Sequence, residues 1–271
     1  MYSILEHYLS TNHILMIGMI VTFILTFFLL EHPFSFLPSD QGRAFAVNGS
    51  LSKGKLRGVG FIFVLCFLIS SVLFLPLDVE YVIYGILLFA MMISGYLDDA
   101  SKTPWNEYKK GLIDLVISVV AVLTYMNFNS TTICFGADEI VIPKALFLIL
   151  GVILIWVSVN VTNCTDGVDG LCASLCSVTL LAFGVLFAPI LQKYAMANFL
   201  FLSVLFAYLY FNSSPSSMLM GDAGSRALGF YIAVIALKST HPFIYILLAA
   251  VMIVDGGIGL VKIALKRFLK I

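Results

Sequence analysis

The sequence predicts an all-α polytopic membrane protein, from its composition and from the spacing of its apolar runs. Of 271 residues, 61% are hydrophobic and 11% are charged, and the mean hydropathy is +1.05. A soluble domain is only about half apolar and about a quarter charged. Because no polar stretch is long enough to form a soluble core, we expect residues 1–271 to form a single integral membrane domain.

Nine apolar runs predict about nine transmembrane helices, since a crossing helix needs roughly 20 apolar residues. The first run is predicted to be retained as a span, because no basic segment typical of a signal peptide precedes it. The eighth is short and fits a tilted or partly re-entrant helix. The nine runs are residues 14–30, 58–77, 79–97, 112–127, 144–161, 171–190, 196–211, 226–239 and 242–268.

The segment 128–143 lies between the fourth and fifth runs and differs from them in pattern. Apolar and polar residues alternate on both sides of Gly136. Such alternation around a glycine predicts a small β-hairpin, which we expect on the outer surface.

The distribution of basic residues predicts the orientation of the chain. An odd number of spans puts the termini on opposite sides of the membrane. With the N-terminus outside, the outer segments hold only Lys144, Lys193 and Lys238 of the 15 lysines and arginines. Basic residues favour the cytoplasmic side, so we expect an outer N-terminus. The zero net charge gives no reason to expect a nucleic-acid partner.

Five aspartates stand at the edges of apolar runs, all on the predicted cytoplasmic side. Carboxylates at such positions are costly, so they need a metal, a basic side chain or water in a cavity. Several of them on one face predict a divalent-cation site and phosphate chemistry there. The five are Asp98, Asp99, Asp166, Asp169 and Asp222.

The first aspartate motif is GYLDDASK, residues 95–102. Adjacent carboxylates at a helix end cannot both face one direction. One of them can bind a metal or accept a proton while the other orients its neighbour. Lys102 follows closely enough to neutralise the pair or to hold a phosphate. The alternative interpretation is a solvated helix end with a simple ion pair.

The second motif is NVTNCTDGVDGL, residues 160–171, which we expect to form a polar inner loop between two spans. Gly167 and Gly170 permit tight turns and a close approach of the backbone to a ligand. Gly170 also leads into the next helix, whose N-terminus favours anions. The alternative is a turn in which the polar residues only cap helices.

The third motif, MGDAGSR, places Asp222 between two glycines at the start of a span. Alone it fits a helix N-cap, but beside the other motifs it fits a metal ligand better. A basic loop from Asp40 to Gly60 is a fourth candidate, because its cations and glycines suit phosphates. Its alternative is ordinary positive-inside bias. Asp114 and Asp255 also lie in or near apolar runs and receive no assigned role.

Taken together, GYLDDxxK, NxTNxxDGxDGL and MGDxGSxxLGF resemble the polyprenyl-phosphate N-acetylhexosamine-1-phosphate transferases. The likeness covers about residues 38–270, including the basic loop. It implies transfer of a sugar phosphate from a UDP-sugar to undecaprenyl phosphate at the bacterial plasma membrane. UMP would be released, Mg²⁺ required, and the active site cytoplasmic.

The resemblance also implies roles for individual residues. It makes Asp222 the metal ligand. It implies a catalytic group comprising Asp98, Asp99, Asp169 and Lys102. It implies substrate contacts from Asn163, Asp166, Gly167, Lys53 and Lys55.

Within this family the chain most resembles members that use UDP-N-acetylmuramoyl-pentapeptide (UDP-MurNAc-pentapeptide) and form lipid I of peptidoglycan. Family members usually continue into a histidine-rich segment and a tenth span, whereas this sequence ends at Ile271. UDP-N-acetylglucosamine, for teichoic acid or O-antigen synthesis, therefore remains an alternative donor. A homodimer is a further expectation for the assembly. A cation-coupled transporter is the alternative class, but only Asp255 lies deep enough to favour it.

Overall fold

The computed structural model describes residues 1–32, 34–40, 42, 52–101, 103, 105–136 and 138–268. This part of the chain contains twelve helices and one two-stranded antiparallel sheet. The helices are α1 Tyr2–Leu5, α2 Thr11–Glu31, α3 Gly60–Phe74, α4 Val79–Asp99, α5 Glu107–Phe128, α6 Lys144–Thr165, α7 Leu171–Leu186, α8 Ala188–Leu191, α9 Lys193–Asn212, α10 Gly221–Lys238, α11 Ile244–Leu248 and α12 Ala250–Phe268. The strands are β1 Thr132–Phe135 and β2 Asp138–Val141, with Thr132 opposite Val141.

The predicted membrane class is confirmed, because a helix covers most of each predicted span. Among the described residues, five helices are long and apolar enough to cross a membrane: α2, α4, α5, α6 and α9. Helices α3 and α7 are apolar but shorter. The predicted hairpin is also present, as β1 and β2.

Two of the predicted spans each contain a break, so that two helices take the place of one. The run 171–190 divides into α7 and α8, with Pro189 in the first turn of α8. A proline inside a continuous helix would lose a hydrogen bond and clash with the preceding turn. The run 242–268 divides at Ala249, whose backbone (φ −102°, ψ 15°) leaves the helical region.

Helix α10 forms the centre of the bundle, and its residues from Gly221 to Leu237 are buried. The predicted eighth span began at residue 226, but the helix starts five residues earlier, at Gly221. Its polar first turn is therefore helical and enclosed by neighbouring helices, which hydropathy alone does not predict.

Glycines bring the backbones of α3 and α4 against the first turns of α10. A Cβ atom added to Gly60 would lie 2.1 Å from the backbone nitrogen of Gly224. One added to Gly95 would lie 2.3 Å from the carbonyl oxygen of Asp222. Only glycine permits such close approach. This packing fixes where Asp222 lies relative to α4.

The opposite end of α10, which we call the hairpin end, is fixed by a part-buried ion pair. Lys238 Nζ lies 2.9 Å from Glu80 Oε2 and donates to Asn129 Oδ1 at 2.7 Å. The backbone nitrogen of Cys134 in β1 donates to the carbonyl oxygen of Thr240 at 2.8 Å. These contacts join α4, α5, α10 and the sheet, far from Asp222 at what we call the site end.

Candidate active site

Three predicted aspartates meet two basic side chains at the site end of α10. Arg57 donates from Nε to Asp99 Oδ1 at 2.8 Å and from Nη2 to Asp222 Oδ1 at 3.4 Å. Lys110 donates to Asp222 Oδ2 at 3.2 Å and forms an ion pair with Asp98. We call Asp98, Asp99, Asp222, Arg57 and Lys110 the charge cluster. Opposite charges so close offset the cost of burying each carboxylate.

The two adjacent aspartates occupy different environments, as expected from their position at a helix end. The Asp99 side chain is fully buried, and its Oδ2 accepts a hydrogen bond from the backbone nitrogen of Ala223 at 3.2 Å. Asp99 therefore holds the N-terminus of α10, where a negative charge is favourable. Asp98 Oδ1 instead accepts from the backbone nitrogen of Trp105 at 2.7 Å, on the segment leading to α5.

Arg57 carries a permanent charge in this cluster. Burial alone would lower its pKa, but the charges of Asp99, Asp222 and Asp40 outweigh that effect and raise the pKa above its usual value. Asp40 is itself buried and accepts from Ser52 Oγ at 2.5 Å and from Arg57 Nη1 at 3.3 Å. The end of the basic loop is thereby fastened to the aspartate motifs.

A second group of contacts lies around Asp169. Its Oδ2 accepts from the backbone nitrogen of Ser216 at 3.0 Å and lies 3.7 Å from Lys55 Nζ. Lys55 also donates to Ser216 Oγ at 2.8 Å. Burial raises the pKa of Asp169, but the hydrogen bonds from Ser216 and the charge of Lys55 together bring it below the usual value. Asp169 is therefore ionised at neutral pH.

Asn212 joins two loops near Asp169, and the sequence motifs did not identify it. Its Oδ1 accepts from the backbone nitrogen of Gly170 at 3.0 Å, and its Nδ2 donates to the carbonyl oxygen of Met218 at 2.9 Å. Asn212 is buried at the end of α9. The sequence feature that could have identified Asn212 is its position, as an uncharged polar residue at the edge of an apolar run.

The predicted inner loop 160–170 was wrong in its first half, because α6 continues to Thr165. Asn163 therefore lies on the last turns of a helix and donates from Nδ2 to Ser225 Oγ of α10 at 2.9 Å. Thr165 and its neighbours stay helical because α10 and α12 pack against α6, so tertiary contacts compensate for weak helix propensity.

Of the four remaining predicted residues, three belong to the described part of the chain. Asp166 ends α6, and the backbone nitrogen of Gly167 donates to the carbonyl oxygen of Thr165 at 2.8 Å. Lys53 is exposed on the basic loop. Lys102 lies outside the described residues.

The donors around Asp222 suit Mg²⁺ in chemistry, although they do not form a complete protein cage. In the described part of the chain, no group of three or more His, Cys, Asp or Glu side chains is arranged to hold a metal. Mg²⁺ typically takes one or two carboxylates and completes its shell with substrate phosphates and water. Asp222, with Asp98 across Lys110, fits that pattern.

An apolar groove of about 1030 Å³ runs beside the charge cluster. It lies between α5 and α6 and is lined by side chains that include Leu112, Leu115 and Trp156. Trp105 lines one end of it, and the same residue donates its backbone hydrogen to Asp98. Through Trp105, the groove therefore borders Asp98 of the charge cluster.

Comparison with known proteins identifies the family. The model of glycosyl transferase family 4 matches residues 81–240. A Treponema pallidum protein named phospho-N-acetylmuramoyl-pentapeptide-transferase is 36% identical over 93% of this chain and 76% of its own length. A protein of the same name from Halalkalibacterium halodurans is 28% identical over 90% of this chain and 81% of its own length. Another from Wolinella succinogenes is 30% identical over 78% of this chain and 68% of its own length. The family predicted from the three aspartate motifs is confirmed, and the chain belongs to glycosyl transferase family 4.

Proposed function

We propose that this membrane protein transfers phospho-MurNAc-pentapeptide from its UDP donor to undecaprenyl phosphate, releasing UMP and forming lipid I. The observation that carries the proposal is the charge cluster, in which Asp98, Asp99 and Asp222 meet Arg57 and Lys110. The names of relatives that match more than nine-tenths of the chain support the choice of sugar.

The reaction needs positive charge more than it needs a strong base. An oxygen of the lipid phosphate attacks the phosphorus that carries the sugar. A new P–O bond forms there as the bond to the UMP oxygen breaks. Negative phosphates must approach each other, so cations and positioning supply most of the catalysis. Lys110 and Arg57 provide two permanent charges at that point.

The carboxylates divide the remaining tasks in this proposal. Asp222, with Asp98, would hold Mg²⁺, which when bound neutralises phosphate charge. Asp98 is also the candidate for accepting the last proton of the lipid phosphate, although an ionised phosphate does not require it. Asp99 keeps α10 in place through the Ala223 amide. Lys102 stays a predicted phosphate contact.

The donor nucleotide would bind at the group around Asp169. The Lys55 ammonium group contacts both Asp169 and Ser216. In this proposal it also contacts a phosphate of the incoming donor. Asn163, Asp166 and Gly167 lie at or just after the end of α6, and Asn163 contacts Ser225 of α10, the helix that carries Asp222. Lys53, two residues before Lys55 in the chain, is exposed and adds positive charge.

The lipid acceptor would lie in the groove between α5 and α6. The lining offers mostly apolar side chains to a polyprenyl tail, and the end at Trp105 brings the phosphate to Asp98 and Lys110. Lys55 and Arg57 lie at the site end, whereas Lys238 and Lys193 lie at the hairpin end. By the positive-inside rule, we place the site end in the cytoplasm, where UDP-sugars occur, and the N-terminus outside.

The proposal is tested with purified protein, Mg²⁺, undecaprenyl phosphate and UDP-MurNAc-pentapeptide. We expect UMP release that requires all four components and falls at least a hundredfold, as an order of magnitude, in Asp222→Asn. Asp138→Asn, in the exposed strand β2, is the matched control and should retain wild-type rates.

Other outcomes of the same assay distinguish the alternatives. Faster release from UDP-N-acetylglucosamine would assign the chain to the teichoic acid or O-antigen branch. Cation flux into liposomes without UMP release from either donor would support a transporter and overturn the proposal.

A further inference from the structure

A buried ion pair lies one helical turn deeper in the membrane domain than the charge cluster. Arg226 of α10 pairs through Nη2 with Asp114 Oδ1 of α5, and each residue is only 2% exposed. The Nε and Nη1 groups of Arg226 are buried without a hydrogen-bond partner among the described residues. An incompletely satisfied guanidinium so close to the reaction site needs an explanation, because such a group is costly in a membrane protein.

The pair belongs to a regular arrangement across the two helices. On α5, Lys110 and Asp114 stand four residues apart; on α10, Asp222 and Arg226 do the same. Residues at this spacing share one helix face. Lys110 faces Asp222 at 3.2 Å, and Asp114 faces Arg226. We call these four residues the charge ladder, in which the polarity of the second rung is opposite to that of the first.

If one member of the second rung is removed, the remaining charge competes for a member of the first rung. Without Asp114, the nearest carboxylate on α10 to the Arg226 guanidinium is Asp222, one turn away. Without Arg226, the Asp114 carboxylate would attract Lys110, one turn away on α5. A buried charge that has lost its partner is strongly driven to find another.

We propose that Asp114 and Arg226 are positioning residues for the transfer site: each holds the other's charge, so that Asp222 and Lys110 remain paired with each other. The inference rests on the proposed function, since it assigns a purpose to the Lys110–Asp222 contact. The second rung has no assigned contact with substrate. Its effect is to keep the Arg226 guanidinium off Asp222 and the Asp114 carboxylate off Lys110, which already contacts Asp98 and Asp222.

The test compares four variants: Asp114→Asn, Arg226→Met, the double variant that combines them, and Arg226→Lys. UMP release is measured at saturating and limiting donor on protein that elutes as a single folded species. We expect kcat to fall roughly tenfold or more in each single neutralising variant, with KM for the donor changed less than about threefold. The double variant, which lacks both competing charges, should recover kcat to within about threefold of wild type. Arg226→Lys, which keeps the cation, should do so too.

The ion pair at the hairpin end is the matched control, because Glu80 is also buried, the Lys238 side chain is only 12% exposed, and the pair also fixes α10. Glu80→Gln should lower the thermal unfolding temperature without lowering kcat. If Asp114→Asn likewise loses only stability, the second rung is merely structural and the inference is wrong.

Two further outcomes would also overturn the inference. The first is a double variant no faster than the single variants, because the loss would then not come from a freed charge. The second is a kcat tenfold or more below wild type in a well-folded Arg226→Lys or double variant. This outcome decides the question even if the single neutralising variants fail to fold. If the wild-type protein releases no UMP, the proposed function fails instead, independently of these comparisons.

Discussion

Gly95→Ala tests whether backbone contact between α4 and α10 sets the reaction geometry. The new methyl carbon would lie 2.3 Å from the carbonyl oxygen of Asp222, about 1.1 Å closer than the 3.4 Å at which ordinary contacts begin. The three nearest atoms, from Asp222 and Ala223, all belong to the backbone, so α10 or α4 must move by about that distance. Overpacking of this kind costs about 1–3 kcal/mol of unfolding free energy. A displacement of about 1 Å at a reacting group can cost roughly a hundredfold in rate.

The assay is UMP release together with thermal unfolding in the same detergent. Gly85→Ala is the matched control, because it makes the same change in the same helix where the nearest atom, Leu68 Cδ2, is 3.7 Å away. Alanine is about 1 kcal/mol better than glycine in a helix, so Gly85→Ala should be as active as wild type and slightly more stable. Equal rates for Gly95→Ala and Gly85→Ala would refute the reasoning.

Three further predictions concern stability and pH. Glu80→Gln leaves the largely enclosed Lys238 ammonium without a counter-charge and should lower the free energy of unfolding by about 3 kcal/mol in denaturant titrations. Asn212→Ala removes two buried hydrogen-bond partners and should raise KM for the donor several-fold while costing about 1–3 kcal/mol of stability. The pKa of Asp169 is lower in the folded protein than the value of about 3.9 in an unfolded chain. The stabilising contact of Asp169 with Ser216 is therefore fully present above the unfolded pKa, and it is lost as the pH falls through the folded pKa. Donor KM should therefore be independent of this group from about pH 5 to 8, and a fall in affinity within that range that is absent in Asp169→Asn would contradict the assignment.

The sequence was sufficient to predict where the long apolar helices lie, although not their breaks and exact ends, because hydropathy depends on local composition. It also predicted that Asp98, Asp99 and Asp222 lie together, since they border apolar runs on one predicted side. It did not predict that the polar start of α10 is helical and buried. That outcome depends on Gly60 and Gly95, whose missing side chains let α3 and α4 reach the α10 backbone.

The partners of the aspartates could not be predicted from the sequence for a similar reason. Arg57 and Lys110 looked like positive-inside charges, because which carboxylate each one reaches is a long-range property of the fold. Asp114 and Arg226 showed no motif that linked them, since the two residues are on different helices. Helix spacing alone places Asp114 on the same face as Lys110, but not opposite α10.

Analysis of both reaction products shows directly whether this protein forms lipid I. Purified protein is incubated with undecaprenyl phosphate, Mg²⁺ and UDP-MurNAc-pentapeptide, and both UMP and the lipid product are quantified by chromatography and mass spectrometry. The account predicts equal amounts of UMP and undecaprenyl-diphospho-MurNAc-pentapeptide from wild type and Asp138→Asn, and loss of both products in Asp222→Asn. UMP without the lipid product, or an Asp222→Asn variant as active as wild type, would contradict it.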